Sequence, residues 1–209
     1  MNRKWNILNW NIRGINSQTR WDDLRDKIDE SNCGITCLQE TKRDDFDQNY
    51  LRNFSPRRFN QYFYTPSLGL SGGLIIIWNG SLYSGSIVSQ SSFQLTIKLL
   101  CNLSGHIFNV SNIYGPCQNE NRTDFFNWLD NIDASPLDHW ILIGDFNLIR
   151  SPHDRNRPGG DSNNMLMFNS LLLQLDLVEI PLKGRNYTWS NMQDSPLLEK
   201  LDWIFTSAN

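Results

Sequence analysis

The sequence predicts an α/β fold with sheets inside and helices outside. Three observations carry that expectation. Short apolar runs of strand length recur along the chain and are broken by turn residues. A few stretches between them place apolar residues at helical spacing. Composition is uniform, with no linker, repeat or low-complexity segment, so one domain over residues 1–209 is expected. The 209 residues are 39% hydrophobic and 12% aromatic, with eight Trp, a balance that can bury a core and disfavours disorder.

Each element follows from its own residues. Residues 4–12 alternate around Trp5, Ile7, Trp10 and Ile12 and read as a strand, and Gly14–Ser17 ends it. Trp21, Leu24, Arg25 and Ile28 give residues 18–31 a helical period. Cys33–Gln39 is a short apolar strand. Residues 44–57 are polar with scattered aromatics, a loop or short helix. Phe59–Tyr64 and Leu74–Trp78 read as strands, with Pro66–Gly73 as a turn-rich link. Residues 82–100 supply two strands, and His106–Tyr114 another, ended by Gly115-Pro116. Phe125, Phe126, Leu129 and Ile132 make 121–133 an amphipathic helix. Trp140–Gly144 is a buried strand. A loop over 152–164 leads to a helix over Met165–Leu175. Leu177–Ile180, Thr188–Ser190 and Leu201–Phe205 close the pattern as strands.

Composition also excludes. The net charge is −3, so any nucleic-acid binding must come from local basic groups rather than bulk charge. Residues 1–12 lack the apolar stretch and cleavage site of an export signal. The longest apolar run, Gly73–Trp78, is far too short to span a membrane, so no membrane partner is expected. Cys33, Cys37, Cys101 and Cys117 read as reduced thiols. Cys33 and Cys37 have the spacing of a zinc half-site but no partner pair, which favours burial as small apolar groups.

Several apolar strands end in polar residues. Trp10 leads to Asn11, and Leu38-Gln39 to Glu40-Thr41-Lys42. Ile113 leads to Tyr114-Gly115-Pro116, Ile143 to Gly144-Asp145-Phe146-Asn147, and Leu201 to Asp202. Strand ends that meet at one sheet edge can assemble a site from distant segments. Their chemistry is carboxylate and amide oxygen, which suits Mg²⁺ or Mn²⁺ rather than zinc. Such a set fits hydrolysis of a phosphoester, with a metal polarising the phosphoryl oxygen and a carboxylate orienting water. Each piece also has a plain reading. Glu40 could be surface, Gly-Asp-Phe-Asn a tight turn, and Tyr-Gly-Pro a strand terminator. Asp202, inside an apolar strand, needs a partner if buried.

Taken in order, Asn9–Gly14, Leu38–Lys42, Asn112–Pro116, Gly144–Asn147 and Leu201–Phe205 resemble the endonuclease/exonuclease/phosphatase family. The narrower resemblance is to the endonuclease domain of plant LINE-type (non-LTR) retrotransposons. It rests on Gly144-Asp145-Phe146-Asn147-Leu148-Ile149, Pro158-Gly159-Gly160-Asp161 and Tyr187-Thr188-Trp189-Ser190. The resemblance implies a DNase I-like four-layer sandwich of two mixed β-sheets flanked by helices. It implies that Glu40 ligates a divalent metal, Mg²⁺ or Mn²⁺, and that Asn11 shapes the metal site. Tyr114 would orient the scissile phosphate, Asp145 would activate water, and Asn147 would hold phosphate. Asp202 would orient a catalytic His. The implied activity is DNA strand nicking, in the nucleus where a retrotransposon endonuclease acts, although no basic import cluster stands out.

Two departures qualify the resemblance. Arg13 stands where repair-type members carry Asp, which favours the retroelement branch over abasic-site repair. The family's Ser-Asp-His does not follow Asp202, and His106, His139 and His153 do not match it by motif. His153, in the loop after Asn147, is a candidate phosphate contact or plain surface. The expected consequence is a sandwich lacking its last strand, with an open edge and an uncovered apolar face at Leu201–Phe205 that could recruit a protein partner. Asp202 is expected to lose its partner. Losing the His would also cost on the order of 100- to 1000-fold in rate. Arg57, Arg58, Arg150, Arg155 and Arg157 are the candidate DNA phosphate contacts, or ordinary surface charge. The alternatives to a nuclease are a catalytically impaired or co-opted copy that binds protein or nucleic acid, and a phosphatase acting on small or lipid phosphates.

Overall fold

The computed structural model describes residues 6–68, 71–132 and 139–208. Two mixed sheets flanked by helices make up an α/β fold, as the sequence predicts. The chain forms two compact units, Met1–Tyr114 and Gly115–Asn209.

In the first unit, β1 (Ile7–Asn11) runs parallel to β2 (Ile35–Gln39), with Asn11 beside Gln39. The crossover between them is α1 (Gln18–Ser31), capped by the Ser17 hydroxyl, which accepts from the Arg20 amide. Asn32, at φ 47°, ends the helix in the left-handed region. A four-residue helix, α2 (Gln48–Leu51), precedes β3 (Phe59–Leu68), which pairs with β4 (Ser71–Asn79). The sheet order is β1-β2-β4-β3. All five residues of β2 are buried, as a central strand covered on both faces requires. One face packs on Leu24 and Ile28 of α1, with Ile12, Ile15, Phe46, Phe54 and Phe59 completing that core. The other meets an antiparallel ladder of β5 (Tyr83–Gln90), β6 (Gln94–Cys101) and β7 (Ile107–Tyr114).

The first unit corrects the sequence reading at Pro66–Gly73. Its flanks Pro66–Leu68 and Ser71–Gly73 are strand, because Thr65 pairs with Leu74, Ser67 with Gly72 and Leu68 with Ser71; residues 69 and 70 lie outside the described residues. Pro66 is tolerated because β3 is the edge strand, where a missing amide donor breaks no ladder.

In the second unit, α3 (Arg122–Asp130) precedes β8 (Trp140–Asp145). Helix α4 (Ser162–Gln174) starts one turn earlier than Met165. Asp161 caps it by accepting from the Asn163 and Asn164 amides, and its polar first turn hides the helical period. Then come β9 (Leu177–Glu179), a ribbon of β10 (Trp189–Ser190) with β11 (Leu198–Glu199), and β12 (Asp202–Ser207).

The uncovered face expected at Leu201–Phe205 is overturned. Strand β12 pairs with β8 on one side and β9 on the other. Leu201, Trp203 and Phe205 are buried. The Phe205 ring lies 6.1 Å from Phe168 of α4 and 5.4 Å from Phe146. The cover comes from β9 and α4, whose residues lie earlier in the chain than the segment from which it was expected. No helix among the described residues is long and apolar enough to cross a membrane.

Candidate functional site

The candidate residues fall into clusters within each unit. In the first, the segments after β1 and β2 continue side by side. The Ile12 amide donates to the Gln39 carbonyl at 3.0 Å, Gly14 to Glu40 at 2.7 Å and Ile15 to Thr41 at 3.2 Å. The tip of the β3–β4 hairpin flanks them, since Thr41 and Lys42 donate to the Gly73 and Gly72 carbonyls. Gly73 is required there. Its φ is +86°, and a Cβ would lie 2.3 Å from the Thr41 hydroxyl oxygen.

This pairing brings Asn11 and Glu40 together. Asn11 Nδ2 donates to Glu40 Oε1 at 2.9 Å, and Asn11 Oδ1 accepts from the Arg13 amide. Lys42 Nζ stands 3.8 Å from Glu40 Oε2. Beneath them lies a buried amide lattice. Gln39 Nε2 donates to the side-chain oxygens of Asn9 and Asn112. Asn112 Nδ2 donates to the carbonyls of Leu38 and Ile75 at 2.9 and 3.1 Å. The lattice ties β1, β2, β4 and β7 together directly behind Glu40. Tyr114 ends β7 half-buried, its amide donating to the Phe93 carbonyl.

In the second unit, β8 delivers Asp145 to a tight turn. Asp145 is buried, and its Oδ1 accepts from the Asn147 amide at 3.0 Å. Asn147 Nδ2 donates to the Gly115 carbonyl at 2.8 Å, and the Gly115 amide donates to the Asp145 carbonyl. Gly115 is required because a Cβ would lie 2.0 Å from the Phe146 carbonyl oxygen. Asp202 is the cross-strand partner of Asp145, which places both carboxylates on one face of the ladder. Thr188 clamps the approach to Asp202: its hydroxyl oxygen accepts from the Leu201 and Asp202 amides at 3.0 and 3.1 Å.

Backbone strain collects at these clusters. Of the seven non-glycine residues with positive φ among those described, four are Arg13, Glu40, Lys42 and Asn147. Each such residue costs roughly 1–2 kcal/mol, and strain of this kind persists where the surroundings enforce it, typically at functional sites.

The donor set fits a hydrated hard cation. Glu40 is partly open, with a side chain 19% exposed, and Asn11 adds an amide oxygen. Among the described residues no three His, Cys, Asp or Glu gather to cage an ion. Mg²⁺ does not need such a cage, because it binds one or two carboxylates and keeps several waters. The thiols do not offer a zinc site. Cys33 and Cys37 are both buried, and burial pushes the Cys37 thiol well above its ordinary range, so it stays protonated and poor as a ligand.

The five arginines divide. Arg150 Nη1 meets Glu179 at 2.5 Å, its Nε donates to Asn169, and it stacks over Trp203. Arg155 pairs with Glu199 at 3.2 Å, its side chain only 13% exposed. Both are spent on internal contacts, which argues against the phosphate role expected of them. Arg58 pairs with Asp29 and lies over Phe59, and Arg157 donates to Ser195. Arg57 is exposed. His106, His139 and His153 are all exposed, and the Ser151 hydroxyl accepts from the His153 amide in a 3₁₀ turn.

The residues that sequence reasoning missed are the supports. Gln39, Asn112 and Thr188 lie inside the motif segments but carry no role there that their residue type alone announces. A polar residue in an otherwise apolar strand was the available signal for the first two.

Mixed sheets with acid and amide residues at strand ends are the features that set the fold's class. Residues 8–209 match the endonuclease/exonuclease/phosphatase family. The chain belongs to that family. Its fold is similar to the endonuclease domain of TRAS1, a telomere-specific non-LTR retrotransposon, at TM-score 0.73 and 11% identity over 98% of this chain and 86% of that one. It is similar to the AP endonuclease LMAP from Leishmania major, at TM-score 0.71 and 15% identity over 98% and 79%. An AP endonuclease from Archaeoglobus fulgidus matches at TM-score 0.70 and 16% identity over 98% and 87%.

Proposed function

We propose that this chain is a Mg²⁺- or Mn²⁺-dependent endonuclease that nicks DNA by phosphodiester hydrolysis, of the LINE-retrotransposon type. The observation that carries the reading is the Asn11–Glu40 pair, a carboxylate on a left-handed backbone that accepts a hydrogen bond from its amide neighbour. Glu40, shaped by Asn11, would hold the metal, which supplies charge to polarise a phosphoryl oxygen. Asp145 would accept the proton of the attacking water. Its Oδ1 accepts from the Asn147 amide, which fixes the carboxylate at the turn after β8. Asn147 and Tyr114 would hold the phosphate, and Asp202 would orient the group that steadies the developing charge.

Two observations favour the retrotransposon branch. Arg13 replaces the Asp of repair-type members. The Tyr187–Ser190 segment, part of the narrower resemblance, supplies the Thr188 clamp on Asp202.

The test is nicking of supercoiled plasmid with and without Mg²⁺ or Mn²⁺. The wild-type chain should convert plasmid to open circles only with metal, and Glu40→Ala or Asp145→Ala should lower the rate at least about 100-fold. DNA binding without turnover under either metal would overturn the reading and favour a binding module.

A further inference from the structure

Away from the strand ends, the first unit carries an arginine-lined cleft of about 680 Å³. Its lining is Arg25 from α1, Arg52 from the end of α2, and Ser55, Pro56 and Arg57 from the segment before β3. Three guanidinium groups border this opening, and among the described residues no carboxylate lines it. Asp22 and Asp29, three and four residues from Arg25 on α1, are engaged elsewhere: Asp29 holds Arg58 and Asp22 accepts from Gln18.

Two further features suit an anion. Arg25 Nη2 donates to the backbone carbonyls of Arg52 and Asn53. Those neutral acceptors fix the guanidinium in place without cancelling its charge. Arg52 Nη1 is buried with no hydrogen-bond partner among the described residues. A buried charged donor left without a partner is destabilising, and an anion in the cleft would relieve it. Guanidinium forks match the oxygens of a phosphate better than a point charge does. Arg25 lies eight residues along the helix from Ser17, about 12 Å from the end of α1 that follows β1. This is far enough to be a separate contact in the same unit.

We propose that Arg25, Arg52 and Arg57 form a phosphate-binding cleft that takes a backbone phosphodiester of the nucleic-acid substrate. The assignment to nucleic acid rests on the endonuclease reading, whereas the anion site itself does not. It also explains how a chain of net charge −3 could engage DNA through a local basic feature.

The experiment has two arms. In the first, thermal unfolding is followed with inorganic phosphate against chloride at matched ionic strength. Phosphate should raise the wild-type midpoint, and Arg57→Gln and Arg52→Gln should each abolish most of that rise. Arg52→Gln should not lower the midpoint in chloride, because it removes an unpartnered donor; a purely structural arginine would lower it. In the second, anisotropy of a labelled DNA duplex is titrated at several salt concentrations. Arg57→Gln should weaken binding roughly five- to tenfold and reduce the salt slope by about one. A phosphate effect that survives both variants overturns the site. A phosphate effect that is lost while the salt slope stays unchanged overturns the nucleic-acid assignment and leaves free phosphate as the ligand. Wild-type protein that shows the arginine-dependent slope but never nicks plasmid would sink the endonuclease reading alone.

Discussion

Glu40 and Asp145 each follow or end a buried strand, but different things hold them. Glu40 rests on side chains: Asn11 donates to it, and the Gln39–Asn112 amide lattice fixes the strands behind it. Asp145 rests on backbone: Gly115 lies against Phe146, and the Phe146 ring is sealed among Phe125, Phe168 and Phe205. An amide lattice specifies geometry through hydrogen bonds whose loss leaves buried groups unsatisfied. An aromatic plug specifies it through packing, where volume matters most. The two clusters should therefore break in different ways.

The largest effect is expected at the plug. Phe146→Ala should destabilise the chain by about 3–5 kcal/mol, since it empties a fully buried aromatic site. Urea unfolding measures this. Gly115→Ala should follow at roughly 2–3 kcal/mol, because its Cβ meets backbone that can move only with Phe146. A loss below about 1 kcal/mol for either would mean that the turn is held by its hydrogen bonds instead.

The lattice should respond less in stability and more in the site. Asn112→Leu keeps volume but removes one of the two acceptors of Gln39 Nε2 and the side-chain donor to the carbonyls of Leu38 and Ile75, a cost of about 1–3 kcal/mol. The same variant should weaken Mn²⁺ binding, followed by the metal's paramagnetic signal, while Phe146→Leu should leave that signal nearly unchanged. Equal metal binding in Asn112→Leu and wild type would show that Glu40 does not depend on the lattice.

This contrast also explains what was legible in the sequence. The strands and helices read well because burial leaves a period in the residues, as in the β2 run Ile35–Gln39. The candidate residues Asn11, Glu40, Asp145 and Asn147 could be singled out because polar residues stand out after apolar strands. Their supports did not. Gln39 donates to Asn112 across 73 positions, and no local pattern announces a contact between two sheets. The cover over Trp203 and Phe205 was missed for the same reason. Strand β9 and helix α4 pack there through tertiary pairing, not through adjacency in sequence. Arg150 and Arg155 looked like phosphate contacts because their carboxylate partners, Glu179 and Glu199, lie 29 and 44 positions away.

Cys37 offers a gentler probe of the first unit, since it lies in β2 just before the Leu38-Gln39-Glu40 run. Burial, with a smaller contribution from Cys33, raises its thiol above the ordinary 9.0. The folded thiol therefore keeps its proton where the unfolded one loses it. Its contribution to stability is fully present below the unfolded value and declines as pH rises past 9.0 toward the folded value. Over that window stability should fall by about 1.4 kcal/mol per pH unit from this group. Cys37→Ala should remove that part of the slope at a modest packing cost. An unchanged slope in the variant would assign the alkaline loss to other groups.

The smallest effect is expected at Lys42. Its ammonium stands 3.8 Å from Glu40 Oε2, with the Lys side chain 38% exposed, so the pair should add less than about 1 kcal/mol to stability. Lys42→Met should leave unfolding almost unchanged, yet it removes a positive charge that competes with a cation for the same carboxylate. Mn²⁺ affinity should therefore rise by a small factor in Lys42→Met and fall in Glu40→Gln. If Lys42→Met instead weakens the metal, the lysine is holding Glu40 in its binding geometry. In that case the side-chain support of the first cluster extends beyond Asn11 and the amide lattice.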